Sequence, residues 1–263
     1  WKKPKRWFRL FKQFFKMLAK RIIILLTYRD GVLFRTKNFK PDYRYTDNFV
    51  SNTYVDEIVI INVSTDTSKE NEKKFLGALT RISKNCFVPI TVGGKINNLE
   101  QIKQYQNLGA DKILLGSLSI QNTTLFKKIV AKFGSQFIIA SIDYKKKENF
   151  YEVYINNGKT KIDMSFEEYF KYLLNLNPGE ILINSIDRDG SLNGFDLEIC
   201  KNVKKISSVP IIAAGGFGNW THATEALKFA DLDGVCTSNI FHFTEKSLYG
   251  LKEFLKKENI KVR

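Results

Sequence analysis

The sequence predicts an α/β fold, a (βα)8 TIM barrel, and three features carry that prediction. From residue 20 onward, eight short β-rich apolar runs alternate with helical patterns. Such alternation argues for parallel βαβ units. Eight units in roughly 240 residues match the usual length of an eight-stranded barrel. The chain also resembles itself: "VPITVGG" (88–94) answers "VPIIAAGG" (209–216), and "EIVIINV" (57–63) answers "EILINSI" (180–186). Two half-barrels of four βα units each would produce this repeat. An open doubly wound sheet is the alternative, but the GxGxxG turn that usually marks it is missing.

The first strand, 21–27, is aliphatic until it turns polar at Thr27, ahead of Asp30-Gly31. That pattern reads as a buried strand entering a loop. Further strands are expected at 57–63, 88–92, 111–116, 136–143, 180–186, 209–214 and 233–237. Helices fill the intervals, among them 98–108, 122–133, 165–176, 196–206, 221–229 and 245–257. After the fifth strand, "YEVYINNGK" alternates and ends in Asn-Asn-Gly, which predicts a β-hairpin insertion on the loop face.

The barrel is expected to span 17–263, behind a basic amphipathic extension over 1–16. That extension holds Lys2, Lys3, Lys5, Arg6, Arg9, Lys12 and Lys16, no acid, and Trp7, Phe11, Phe14 and Phe15 at helical spacing. Two readings fit it: weak contact with an anionic membrane surface, or an appendage packed on the barrel. Net charge is +15, and the excess beyond the extension suits anionic ligands such as phosphates; no nucleic-acid motif is present. Cys86, Cys200 and Cys236 lie far apart, and His222 and His242 are the only histidines. This composition predicts no metal site, no cofactor, and reduced thiols of a cytoplasmic protein. No apolar stretch is long enough to cross a bilayer, and no secretory signal is recognisable.

Glycine pairs after strands let a backbone approach an anion closely. The first half offers Gly93-Gly94 with Gly116-Ser117, and the second offers Gly215-Gly216 with Ser238-Asn239. The repeat sets the two groups opposite each other, which suggests a ligand with a phosphate at each end. The second lies where barrels commonly hold phosphate. Tight βα turns alone would use the same glycines.

"MLAKRIIILL", "VPITVGG", "LGADKILLGS", "FGSQFIIASIDYK", "GEILINSIDRDG" and "FHFTE" resemble, in register from Met17 to Arg263, the cyclase subunit of imidazole glycerol phosphate synthase (the HisF family). The resemblance implies a (βα)8 barrel that docks a HisH-like glutaminase on its N-terminal face. Ammonia then crosses the barrel to a bis-phosphate ribonucleotide. It also implies two catalytic aspartates, at the ends of strands one and five. Asp143 occupies the second position, and Thr27 stands at the first. A threonine hydroxyl titrates far outside the working range, and loss of a general acid or base costs about 10²–10⁴-fold in rate.

Other positions of the motif depart on the same face: Asn62 for Asp, Lys95 for Gly, Gly116 for Asn, Asn184 for Thr and Arg35 for Lys. Arg35, Asn184, Asp189 and Gly190 are carried over as ligand-contacting positions. Arg21, Glu57, Lys112 and Glu180 match the family's charged ammonia gate, and Asp111 a position at the glutaminase interface. The same four charges would serve equally as a plug of the barrel floor.

Three functions follow as expectations. The first is a diverged paralogue that passes ammonia to a phosphorylated substrate or to a third amidotransferase protein. Relatives of this type serve acetamidino-sugar (surface-glycan) synthesis. The second is a genuine cyclase of histidine biosynthesis. The third is a non-catalytic scaffold for a glutaminase.

Overall fold

The computed structural model describes residues 19–44, 54–238 and 247–263. The extension over 1–16 and Asn239 lie outside the described residues. Strands are numbered in chain order. Eight of them run parallel and close into a ring: β1 (Arg21–Arg29), β4 (Glu57–Asn62), β5 (Ile90–Gly93), β6 (Lys112–Leu115), β7 (Ile138–Lys146), β10 (Glu180–Ser185), β11 (Ile211–Ala214) and β12 (Gly234–Thr237). Closure comes where Arg21 to Ile24 of β1 pair with Gly234 to Thr237 of β12. The chain is thus a (βα)8 barrel.

The strands read as unbroken apolar runs because both faces are buried. Ile22, Ile24 and Leu26 pack outward against helices. Ile23 and Leu25 point inward, with Val59, Leu114, Ile139, Leu182, Ile212 and Cys236. The helices are α1 (Lys69–Lys84), α2 (Leu99–Asn107), α3 (Leu118–Gln121), α4 (Thr123–Phe133), α5 (Phe166–Asn175), α6 (Leu197–Ile206), α7 (Trp220–Thr224) and α8 (Ser247–Lys257). Their starts follow capping chemistry: Ser68 accepts from the Asn71 amide, Asn98 from that of Gln101, and Ser165 forms a capping box with Glu168. The helix expected over 221–229 changes at Glu225 into a π-helical turn running to Phe229. No helix among the described residues is long and apolar enough to cross a membrane.

Several boundaries moved for physical reasons. β5 and β11 begin after Pro89 and Pro210, which have no N–H for the ladder; their carbonyls accept from Ile58 and Ile181 instead. β1 and β7 run past their expected ends because each pairs with an antiparallel hairpin. β2 (Val32–Lys37) and β3 (Lys40–Arg44) extend β1; β8 (Tyr151–Ile155) and β9 (Thr160–Ser165) extend β7. The first hairpin was not expected. Its signal is Asp30-Gly31, whose φ values of +48° and +95° suit a two-residue hairpin turn.

At the barrel floor, acids preceding strands take amides from neighbouring strand starts. Asp56 Oδ2 accepts from Ile22 N at 2.7 Å, Asp111 Oδ2 from Ile90 N at 2.8 Å, and Asp233 Oδ2 from Ile211 N at 2.8 Å. These bonds satisfy donors left over where the ladder begins.

α1 docks on β1 through Phe75, fully buried with its ring 4.9 Å from Tyr28 and 5.8 Å from Tyr105. Phe75→Ala removes that contact and leaves a cavity. The expected loss is about 3–5 kcal/mol of stability, read from urea unfolding.

Candidate active site and charged floor

The C-terminal ends of the strands and both hairpins frame a cavity of about 620 Å³. Its lining brings together Thr27, Arg35, Gly94, Gly116, Ser117, Asp143, Asn184, Asp189, Gly190, Gly215, Gly216 and Ser238. Gly93 is the exception: it lies within β5, and a Cβ there would fall 2.7 Å from Leu114 Cβ. Its missing side chain makes room for Leu114 on the neighbouring strand. Gly94 and Gly216 have φ of +85° and +100°, and a Cβ on either would collide with the carbonyl oxygen of Asn62 or Gly194. Only glycine fits such turns.

Asp143 and Asn184 are cross-strand partners on β7 and β10, and Asn184 Nδ2 donates to Asp143 Oδ1 at 3.2 Å. Burial pushes the Asp143 carboxyl up to about 7; the Asn184 bond opposes the shift and nearby Asp189 adds to it. A carboxyl poised there can give or take a proton near neutral pH. Thr27 is buried on the facing strand and offers a hydroxyl only. Asp189 is raised by burial, and its Oδ2 accepts from Phe39 N at 2.9 Å, tying the loop after β10 to the first hairpin. Arg35 pairs with Asp42 across that hairpin at 2.8 Å. Asp30 stands outside the cavity lining, engaged by Thr65 Oγ1 and the Asp66 amide, and supplies no substitute carboxylate.

Sequence reasoning missed Asn156, Asn157 and Lys159 as wall residues. Asn-Asn-Gly marked their turn, but nothing local shows that the turn reaches across the mouth. Among the described residues, no group of three or more His, Cys, Asp or Glu could hold a metal ion.

The opposite end of the barrel carries the charged ring. Arg21 Nη1 meets Glu57 Oε1 at 2.8 Å and Arg21 Nη2 meets Glu180 Oε2 at 2.6 Å. Lys112 Nζ closes the circuit to Glu57 at 3.2 Å and Glu180 at 2.6 Å. Burial alone would lower the Arg21 guanidinium, but Glu180 and then Glu57 hold it well above its ordinary value. Burial likewise works to raise Glu180, and Arg21 and Lys112 override it, holding the carboxyl below its ordinary range. Asp111 is exposed on the same face.

The family model described as "Histidine biosynthesis protein" matches residues 12–247. Relatives include proteins named imidazole glycerol phosphate synthase subunit HisF from Hydrogenobaculum sp. (strain Y04AAS1), 36% identical, and Chloroherpeton thalassium, 33% identical. A protein of the same name from Clostridium botulinum is 34% identical. Each alignment spans 94% of this chain and the whole of the relative.

Two outcomes follow from the electrostatics. The raised Asp143 carboxyl favours the folded state below the ordinary carboxyl range, and that advantage is lost as pH climbs to about 7. Asp143→Asn therefore raises the melting temperature at pH 7.5, with a gain that shrinks towards pH 4.5 in calorimetric scans. Arg21→Met leaves Glu57 and Glu180 to share Lys112, an excess of buried negative charge, and denaturant titration should show a loss of about 3–5 kcal/mol.

Proposed function

The chain belongs to the histidine biosynthesis protein family, and on that premise we propose that it is the synthase subunit of a glutamine amidotransferase pair. A HisH-like glutaminase docks on the floor as the partner of a heterodimer. Ammonia enters at the ring of Arg21, Glu57, Lys112 and Glu180 and crosses the apolar interior. At the mouth it meets a phosphorylated ligand, or passes to a third amidotransferase protein. One observation carries the reading: a buried charge ring and a mouth with a proton-exchanging carboxyl lie at the two ends of one apolar bore. Such a lining suits neutral ammonia and disfavours ammonium, because an unpaired charge there is costly.

Within that role, Asp143 exchanges protons with the ligand while Asn184 orients its carboxyl. The glycine-edged loops at Gly94 and Gly216, with Ser117 and Ser238, hold the ligand's phosphates. Thr27 leaves the mouth without a second carboxylate on the facing strand. The cyclase reaction is accordingly slow here, and the acceptor belongs to acetamidino-sugar synthesis. The substitutions at Asn62, Lys95 and Gly116 support that choice, since all three edge the same cavity. A second reading, a histidine-biosynthesis cyclase working with Asp143 alone, is favoured by the names of the relatives.

The test supplies the purified chain with the cyclase's bis-phosphate ribonucleotide and excess ammonium salt. Turnover should be absent or about 10²–10⁴-fold below an enzyme-like rate, and Thr27→Asp should raise it. An enzyme-like rate in the unsubstituted chain would sink the paralogue reading and establish the second.

A further inference from the structure

We propose that His222 is a positioning residue of the mouth: by accepting the Gly218 amide and covering Gly194, its ring sets the turn after β11 so that the Phe217 amide is presented to the ligand. The inference deepens the reading above, on which it rests for the ligand being phosphorylated. It assigns a side chain that stands outside the cavity lining.

The turn Gly215–Gly218 leaves β11 and lies against the loop that leaves β10. Gly194 N donates to Gly216 O at 2.8 Å, and Arg188 Nη1 holds Gly194 O at 3.0 Å. A trans peptide sets its C=O and N–H on opposite sides. With Gly216 O turned to Gly194, the Phe217 N–H points away from the β10 loop. β11 lies between β10 and β12, so the N–H points to the β12 side, where Ser238 lines the same cavity as Gly216 and Phe217. No hydrogen bond from Phe217 N is found among the described residues. Phe217 is buried, and a buried backbone donor is seldom left without an acceptor. The ligand supplies one.

His222 secures that peptide from both sides. Its Nδ1 accepts from Gly218 N at 3.2 Å, at the far end of the turn. Its ring lies on Gly194, where an added Cβ would come 3.3 Å from His222 Cδ2. The contacts of Asn219 show which nitrogen works. Asn219 Oδ1 takes the His222 amide at 3.1 Å and the Thr221 hydroxyl, which leaves Asn219 Nδ2 facing His222 Nε2 at 3.2 Å. Both ring nitrogens therefore meet N–H donors, and the ring serves as an acceptor. Nδ1 is the one used: the Gly218 peptide cannot turn away, whereas the exposed Asn219 amide can turn to water.

The experiment compares the full chain with His222→Phe and His222→Asn. Phenylalanine keeps a ring on Gly194 and has no acceptor; asparagine keeps an amide oxygen near the Nδ1 position and loses the ring. Amide hydrogen exchange reads Gly218, and calorimetric titration reads inorganic phosphate. In His222→Phe the Gly218 amide should exchange faster, and one bound phosphate should weaken about three- to tenfold, the order of one hydrogen bond. His222→Asn should restore both. A role in packing alone would reverse that order, since only asparagine uncovers Gly194. Asparagine no better than phenylalanine, or faster Gly218 exchange with phosphate affinity unchanged, would overturn the assignment and leave the proposed function standing. No phosphate uptake by the unsubstituted chain would instead overturn the phosphorylated-ligand reading, and this inference with it.

Discussion

Parity along eight closed parallel strands is the constraint on which the rest of the molecule depends. Side chains alternate between the bore and the helix layer. On β1 the inward set is Arg21, Ile23, Leu25 and Thr27; on β10 it is Glu180, Leu182 and Asn184. One parity class thus supplies the charged floor, the apolar bore and the mouth, in that order. Arg21 and Thr27 are six residues apart, about 20 Å of strand. A one-residue slip of β1 against β12 would turn Arg21, Ile23, Leu25 and Thr27 into the helix layer at once. The acids at the floor oppose such a slip by bonding particular amides: Asp56 that of Ile22, Asp233 that of Ile211.

The same geometry separates two electrostatic regimes. At the floor four charges alternate in sign, so each faces two of opposite sign within the ring, and Glu57 also meets Arg263 at 3.4 Å. Such a ring adds little net stability, since desolvation offsets much of the attraction, but every member is indispensable once the others are buried. At the mouth Asp143 is buried against an amide and another acid, with no cation among the causes of its shift. Its carboxyl therefore shifts toward neutrality instead of being held ionised. Charges that cancel suit a structural closure. A lone carboxyl near 7 suits proton exchange.

Much of this was legible in the sequence because it is periodic. Strand runs buried on both faces gave the barrel, and the family resemblance set Thr27 at the position that answers Asp143. What stayed hidden depends on contacts between distant segments. The first hairpin was marked by Asp30-Gly31, yet Thr27 was taken as the strand's end because polarity was read as exposure. Gly93-Gly94 looked like one anion-binding pair, but pairing with β6 buries the first glycine and frees only the second. Asn156 and Asn157 reach Ser117 and Val63 across 39 and 94 residues of chain. No local pattern encodes such an arrival.

The two hairpins also give the duplicated barrel a direction that its repeat lacks. β1 and β7 are the first strands of their halves, and each carries an antiparallel extension over the mouth. The extensions meet: a Cβ on Gly158 would sit 3.0 Å from Phe39 Cδ2 and 3.2 Å from Ile186 Cδ1. Asp189 anchors the first through the Phe39 amide, and Ser117 anchors the second through that of Asn156. The second hairpin thus leans from the second half onto the first, bringing Asn156 and Asn157 to loops they do not follow in sequence. A twofold repeat alone would present equivalent ends to a ligand. With this crossing the two ends of the mouth differ: the turn of the second hairpin covers the first-half end, while Gly215-Gly216 edges the second-half end. The asymmetry of the mouth then follows from how the hairpins fold, even though the barrel beneath them is nearly symmetric.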